Sequence, residues 1–244
     1  STLFPYTTLF RSWKVYSYNS KTAVDAIETV PVTEGSSGTS LGVLKFGGDG
    51  KLNCLQRTAY GYNRWSQSAM RQWLNSDKGV GEWWTPQNDY DRCPDQLATK
   101  AGFLTGFDAD FLEILRPTKV VTALNTVTDS TSSNSVEPLE TTYDKIYLPA
   151  LEQMSIEPEL AGEGSTWDYW KRASNMTTKM KKWQTYPQIR TFAIENHTSP
   201  QYVRLRSASR GDSYVTWYVS SGGYVGGSYY AISALRCAPA CDFC

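Results

Sequence analysis

Three thiols crowd the carboxyl-terminal end, Cys237, Cys241 and Cys244, and clustered thiols can ligate zinc or carry redox chemistry. Three ligands at those spacings match no zinc ribbon, and His197 is the chain's one histidine, so a closed tetrahedral site would have to recruit Cys54 or Cys93. Structural or free thiols are the simpler expectation, with no metal and no cofactor. One histidine also gives little basis for a Ser-His-Asp or Cys-His nucleophile system. Asp89, Asp91 and Asp95 are the nearest approach to a calcium-ligating carboxylate set. They adjoin a predicted helix start, however, where Asp is a normal cap, and Asp108 and Asp110 read the same way. Trp65, Trp73, Trp83, Trp84, Trp167, Trp170 and Trp183 have rings that can stack on sugars. Most read as core, and Trp183, following Lys179-Met180-Lys181-Lys182, is the one expected at the surface.

Composition removes whole classes of partner. Lys plus Arg, at 24, balances Asp plus Glu, at 24, so no net field draws the chain to nucleic-acid phosphates or an anionic membrane. Nine Trp and sixteen Tyr with only 20% charged residues describe a folded, polar, aromatic-rich protein rather than a disordered one. No apolar run approaches the roughly 18 residues of a membrane helix, so no membrane insertion is expected. Five Cys cannot all pair internally, which argues against a disulfide framework.

The segment Thr2-Leu3-Phe4-Pro5-Tyr6-Thr7-Thr8-Leu9-Phe10-Arg11-Ser12 is similar to the forward translation of a common short-read sequencing adapter. Residues 1–12 are therefore expected to be a non-native scar, with the natural start lost upstream of Trp13. A single α+β domain is expected over 13–244, since there is neither a strong linker nor an internal repeat.

The elements that must position these residues follow from periodicity. Short strands and turns are expected over 13–55, broken by glycine-rich stretches at 34–42 and 47–50. The clearest helix opens at Asn63 or Ser66 and runs to Asn75, with Trp65, Ala69, Met70, Trp73 and Leu74 on one face. Further helical stretches are expected over 96–102 and 109–115, the latter closed by Pro117, with strands over 120–124 and 145–149. Residues 129–137 are rich in Ser and Thr and read as an exposed loop, and 151–156 as helical or looped.

The last third differs in kind. Residues 207–236 hold seven Ser, five Tyr and five Gly among thirty, with charge only at Arg210, Asp212 and Arg236. Antibody loops use the same residues, because a rigid amphipathic ring supplies contact area while Ser and Gly adapt around it. Val215, Trp217 and Val219 alternate with Thr216, Tyr218 and Ser220, and Val225 resumes the pattern after Ser221-Gly222-Gly223, so a hairpin with one buried face is expected. Its outer face is either a recognition surface or ordinary β-structure, which also favours Tyr and Thr. Arg210-Gly211-Asp212 copies an integrin-binding tripeptide, too short a match to carry a function, and the sequons at Asn175 and Asn196 matter only in a secretory eukaryotic setting.

An ordered set of segments carries a resemblance. Residues 62–75 (Tyr62-Asn63-Arg64-Trp65-Ser66-Gln67-Ser68-Ala69-Met70-Arg71-Gln72-Trp73-Leu74-Asn75), Trp83-Trp84, Asp144-Lys145-Ile146-Tyr147-Leu148-Pro149, Arg204-Leu205-Arg206-Ser207 and Arg236-Cys237-Ala238-Pro239-Ala240-Cys241 resemble the variable proteins of diversity-generating retroelements from gut bacteria and their phages. The resemblance implies a C-type-lectin-like fold of the formylglycine-generating-enzyme subtype, with mutable residues displayed on a fixed scaffold. Such elements randomise adenines in Asn-type codons, which can yield Tyr, Ser, Gly, Asp or Val but never Lys, Glu, Gln, Met or Trp. Between Ser207 and Leu235 there is no Lys, Glu, Gln, Met or Asn, and the one Trp, Trp217, falls on the inward side of the alternation.

Carried over by position, the resemblance implies a framework of Arg204, Leu205, Arg206, Ser207, Trp217, Val219, Gly223, Val225, Ala231, Arg236 and Pro239. The implied displayed, ligand-binding set is Ser213, Tyr214, Tyr218, Ser220, Ser221, Tyr224, Gly226, Ser228, Tyr229 and Tyr230, with Val215, Gly222, Gly227, Ile232 and Ser233 unassigned. The Gly-Val-Arg-Pro ending of many relatives is replaced here by Leu235-Arg236-Cys237-Ala238-Pro239. The expectation is a non-catalytic, hypervariable ligand-binding protein, a phage receptor-binding protein at the tail tip or a bacterial surface adhesin. Its partner would be a protein or glycan on a cell surface, with no nucleic acid. The alternatives are an oxidase related to formylglycine-generating enzymes, which use a cysteine pair, and a structural virion or surface module; fold alone does not carry function.

Overall fold

The computed structural model describes residues 45–46, 52–53, 61–87, 91, 93–125, 138–174, 178–190 and 199–243, with backbone alone at 45–46, 52–53 and 172–174. Residues 1–12, the loop at 129–137, Cys54, Asp89, His197, Cys244 and both sequons lie outside the described residues.

Two short strands, β1 (Lys45–Phe46) and β2 (Leu52–Asn53), pair antiparallel. The expected helix divides in two, a 3-10 turn at Trp65–Gln67 and an α-helix at Ala69–Leu74. Ser68 divides them: its extended backbone breaks the first, and its Oγ accepts the Arg71 N–H to cap the second. The apolar stripe is as read, with Trp65, Ala69, Met70, Trp73 and Leu74 all buried. The helix expected over 96–102 is shorter, Asp95–Ala98, and Gly102 instead starts a 3-10 turn at Phe103–Gly106. A side chain at Gly102 would strike the Ser76 carbonyl, so only glycine permits that approach. Asp108 caps the helix Ala109–Ile114 by accepting the Phe111 N–H at 2.8 Å, as its position predicted.

Two strand expectations shift. The strand expected over 120–124 is β4 (Thr118–Ala123), which starts two residues earlier and ends one earlier, and follows β3 (Leu115–Arg116). Its partner is a polar strand that periodicity did not mark, β5 (Leu139–Asp144), in register from Thr118↔Asp144 to Ala123↔Leu139. Residues 145–149 form no strand; Tyr147 makes an isolated antiparallel bridge to Ala240 instead. A 3-10 turn follows at Glu152–Met154, and a helix at Asp168–Ser174.

The carboxyl-terminal sheet has the order β8-β7-β6-β9, from β6 (Val203–Ala208), β7 (Val215–Val219), β8 (Val225–Tyr230) and β9 (Arg236–Cys237). All its pairs are antiparallel except β6 with β9. The last strand, β10 (Asp242–Phe243), returns to β3. Two buried apolar clusters organise the described residues. One gathers Trp65, Trp73, Leu74, Phe103, Ile146 and Leu148 with Cys237 and Cys241. The other gathers Met154, Ile156, Trp170 and Met180 under Leu205, Trp217, Val219 and Val225. The result is a mixed α+β fold of small sheets and short helices. Among the described residues no helix is long and apolar enough to cross a membrane.

Candidate functional site

The segments that carry the resemblance meet in space. Asp144 accepts hydrogen bonds from Trp65 Nε1 at 2.9 Å, Arg71 Nε at 2.6 Å and Thr142 Oγ1 at 2.7 Å. Asn75 receives the Lys145 and Ile146 amides on Oδ1, and its Nδ2 donates to the Ile146 carbonyl. The tryptophan helix is thereby fixed to the end of β5 through buried and half-buried polar groups.

Asn63 reaches the hairpin directly. Fully buried, its Nδ2 donates to the carbonyls of Ser209, Asp212 and Val215, at 3.2, 2.6 and 2.7 Å, while its own N–H donates to Ser213 O at 2.8 Å. The loop that launches β7 is thus set by a residue far upstream. Gly61, at φ +81, abuts Ala231 and Ile232 just beyond β8.

The β6 arginines form a second anchor, and both are buried. Arg206 commits its guanidinium to Thr122 Oγ1, Gln153 Oε1 and the carbonyls of Leu148, Val121 and Glu163, at 2.6–3.1 Å. Five bonds match the five donors of that group, which is how a buried cation becomes tolerable. Arg204 donates to Thr216 Oγ1 on β7 and to the Tyr230 and Ser233 carbonyls, spanning the hairpin from strand to exit turn. Ser207 Oγ donates to Glu163 Oε2 at 2.5 Å. Burial raises the Glu163 carboxyl above its ordinary range against the opposing pull of Arg206.

Among the framework residues, Arg204, Leu205, Arg206, Ser207, Trp217, Val219, Gly223, Val225, Ala231 and Pro239 are buried and Arg236 is half-buried. The ten residues expected on display divide. Ser228 and Tyr230 are exposed, and Tyr214, Ser221, Tyr224 and Tyr229 are half-buried. Ser213, Tyr218, Ser220 and Gly226 are buried, which corrects the expectation that all ten face outward. Every residue of β7 is buried, so the hairpin does not have one covered face and one open face.

The causes are local. Ser220 Oγ accepts the Gly222 and Tyr224 amides and so closes the β7–β8 turn, and Ser213 lies where Asn63 binds. Tyr218 belongs to neither apolar cluster. It is covered by other tyrosines, stacked on Tyr202 at 5.8 Å and edge-on to Tyr229 at 4.6 Å. Burial raises the Tyr218 phenol above its ordinary value, with the hydrogen bond to Ser228 opposing. Gly226 lies beneath that ring. Tyr202 and Tyr230 are 39% and 42% exposed; Tyr202 lies edge-on to Tyr229 at 5.8 Å, and Tyr230 lies 5.7 Å from Tyr214. Tyr202 precedes the Tyr/Ser/Gly-rich segment, so composition does not mark it; its place one residue before β6 is the available signal.

The chemical candidates are placed too. Cys237 and Cys241 are buried and free, and Cys93 is free and half-buried. Burial pushes Cys237 far up, Cys241 up to about 12 and Cys93 up to about 11, so these thiols are held protonated rather than as thiolates. Asp91 accepts the Gln87 amide and Asp95 lies in a helix first turn. Among the described residues no three His, Cys, Asp or Glu groups stand together as a metal site. Trp183 is exposed, as expected, whereas Trp65, Trp73, Trp83 and Trp170 are buried.

Residues 51–242 match DUF6273, a domain of unknown function, and the chain belongs to that family. No curated protein and no solved structure matches it.

Proposed function

We propose that this chain is a non-catalytic ligand-binding protein on a C-type-lectin-like scaffold of the formylglycine-generating-enzyme subtype, diversified by a retroelement over 207–236. The observation that carries this reading is the division within one hairpin. Trp217, Val219 and Val225 are packed in a core, while Tyr214, Ser221, Tyr224, Ser228, Tyr229 and Tyr230 reach solvent wholly or in part. Tyr rings on strands held by Asn63 and Arg204 would bury apolar area on a partner at low entropic cost. The buried members Ser213, Tyr218, Ser220 and Gly226 support this surface from below instead of touching the ligand.

The ligand is a protein or glycan on a cell surface, and the chain acts at a phage tail tip or on a bacterial surface. A display library randomised at Tyr214, Ser221, Tyr224, Ser228, Tyr229 and Tyr230 tests the structural part. Most members should fold, while randomising Arg204, Trp217, Val219 and Val225 should leave few that do; equal tolerance of the two sets overturns the reading. Neighbouring DNA tests its origin: a near-identical repeat differing at adenines beside a reverse-transcriptase gene is expected, and its absence from the genomic locus removes the retroelement.

A further inference from the structure

We infer that Trp183 is the stacking platform of a second, fixed binding site for acidic sugars, beside the tip of the β7–β8 hairpin and outside its Tyr/Ser/Gly segment. Trp183 is 53% exposed, and its backbone has φ +61, a left-handed conformation that a bulky residue rarely adopts. Such strain persists only where the surroundings over-determine it, commonly at ligand sites. The surroundings here do so. Trp183 N–H donates to Val225 O at 2.8 Å, Val225 N–H to Gln184 O at 3.0 Å, and Tyr186 N–H to Gly223 O at 2.9 Å, so the segment is laced to the hairpin's far side. The indole packs on Trp217 at 5.0 Å and lies 6.5 Å from Tyr224. Trp217 itself, wholly buried, leaves its Nε1–H without an acceptor. A strained exposed ring and an orphaned buried donor thus coincide at one place.

The neighbours identify the ligand's chemistry. Lys181, Gln184 and Thr185 are exposed and polar, so Trp183 has a hydrophilic border on its own segment, with half-buried Tyr224 on the hairpin side, rather than the broad apolar patch that a protein interface requires. A single flat ring matches the C–H face of a pyranose. Lys179 is committed to Glu152 at 2.7 Å, but among the described residues neither Lys181 nor Lys182 pairs with a carboxylate. Lys182 Nζ stands 5.6 Å from the Trp217 ring. Lys182, whose ammonium lies over the ring that Trp183 packs on, and its chain neighbour Lys181 give this segment a positive charge that complements a sugar carrying a carboxylate, a uronate or a sialate.

The site does not depend on the hairpin being variable, and its test keeps the two apart. Calorimetry and tryptophan fluorescence would be run on the full chain with oligogalacturonate, sialyllactose and, as the neutral control, maltohexaose. Binding of at least one acidic probe, at least tenfold weaker for maltohexaose, is expected. Trp183→Ala and the double change Lys181→Glu, Lys182→Glu should each weaken it tenfold or more. Trp183→Phe, which keeps a ring over Trp217, should fold normally and retain part of the affinity, and Tyr214→Ala with Tyr230→Ala should leave it unchanged. The inference is overturned if neither acidic probe binds, if maltohexaose binds equally well, or if the lysine variant binds normally. Loss of sugar binding in the hairpin variant overturns it as a separate site, and loss of adhesion to cells without any sugar binding assigns Trp183 to a protein contact instead.

Discussion

Tyr218 lies across Gly226, its direct partner in the β7–β8 ladder, and a Cβ at that glycine would come within 2.6 Å of the phenol ring. The glycine is the space the ring occupies. Gly226→Ala is therefore expected to lift Tyr218 out of its cluster with Tyr202 and Tyr229 and to destabilise the fold by about 1–3 kcal/mol in urea titration. Pairing it with Tyr218→Ala should recover part of the loss, because the second change removes what the methyl strikes; strict additivity of the two would show that the ring and the glycine do not interact.

Asn63→Ala leaves the carbonyls of Ser209, Asp212 and Val215 without that donor. A loss of about 1–3 kcal/mol is expected, since a buried acceptor stripped of its partner keeps its desolvation penalty. Hydrogen exchange should quicken at the Val215 end of β7 before it does at the tryptophan helix. Uniform quickening would mean that the clamp is global rather than local.

Two carboxylates give opposite pH dependences. Burial would push Glu152 up, but Lys179 and the amides of Gly162 and Glu163 hold it below its ordinary 4.5. The unfolded chain then binds more protons, so Glu152 contributes stability above 4.5 that is lost as pH falls through its lower folded value. Glu163 lies above 4.5 through burial, so the folded chain binds more protons and the stability present at low pH is lost as pH rises past 4.5. Urea midpoints measured from about pH 3 to pH 8 should show Glu152→Gln flattening the acid limb and Glu163→Gln flattening the decline on the other side.

Cys237 and Cys241 should be silent in the folded protein. With Cys241 at about 12, roughly one molecule in ten thousand carries its thiolate at about pH 8, and Cys237 lies higher still. An exposed-thiol reagent should label neither until denaturant is added, while half-buried Cys93 reacts slowly. Rapid labelling of Cys241 in the native state would favour the oxidase alternative.

How much of this was legible depends on where the covering atoms come from. Trp65, Ala69, Met70, Trp73 and Leu74 announce their helix because one segment supplies the whole stripe, and Ser68 and Asp108 announce caps by type and place. The β7–β8 turn is legible from Gly222-Gly223 between alternating runs. By contrast β5, Leu139–Asp144, is a strand because β4 offers it a ladder, and its own Glu, Thr and Asp give no periodic signal. Tyr218 reads as outward from alternation alone and is outward from the apolar core, yet Tyr202 and Tyr229 bury it. No local pattern shows that Arg206 will find five acceptors drawn from four distant segments.

Asn63 and its acceptors are 146 to 152 residues apart in the chain. During synthesis, the amino-terminal half of that clamp leaves the ribosome long before its complement exists, and the tryptophan helix must wait for Ile146, Leu148 and Cys237 to complete its cover. Non-local closure of this kind makes folding slow and late, and gives chaperones a period in which to act. Expression yield in a chaperone-depleted host should therefore respond to changes at Asn63 more steeply than equilibrium stability does.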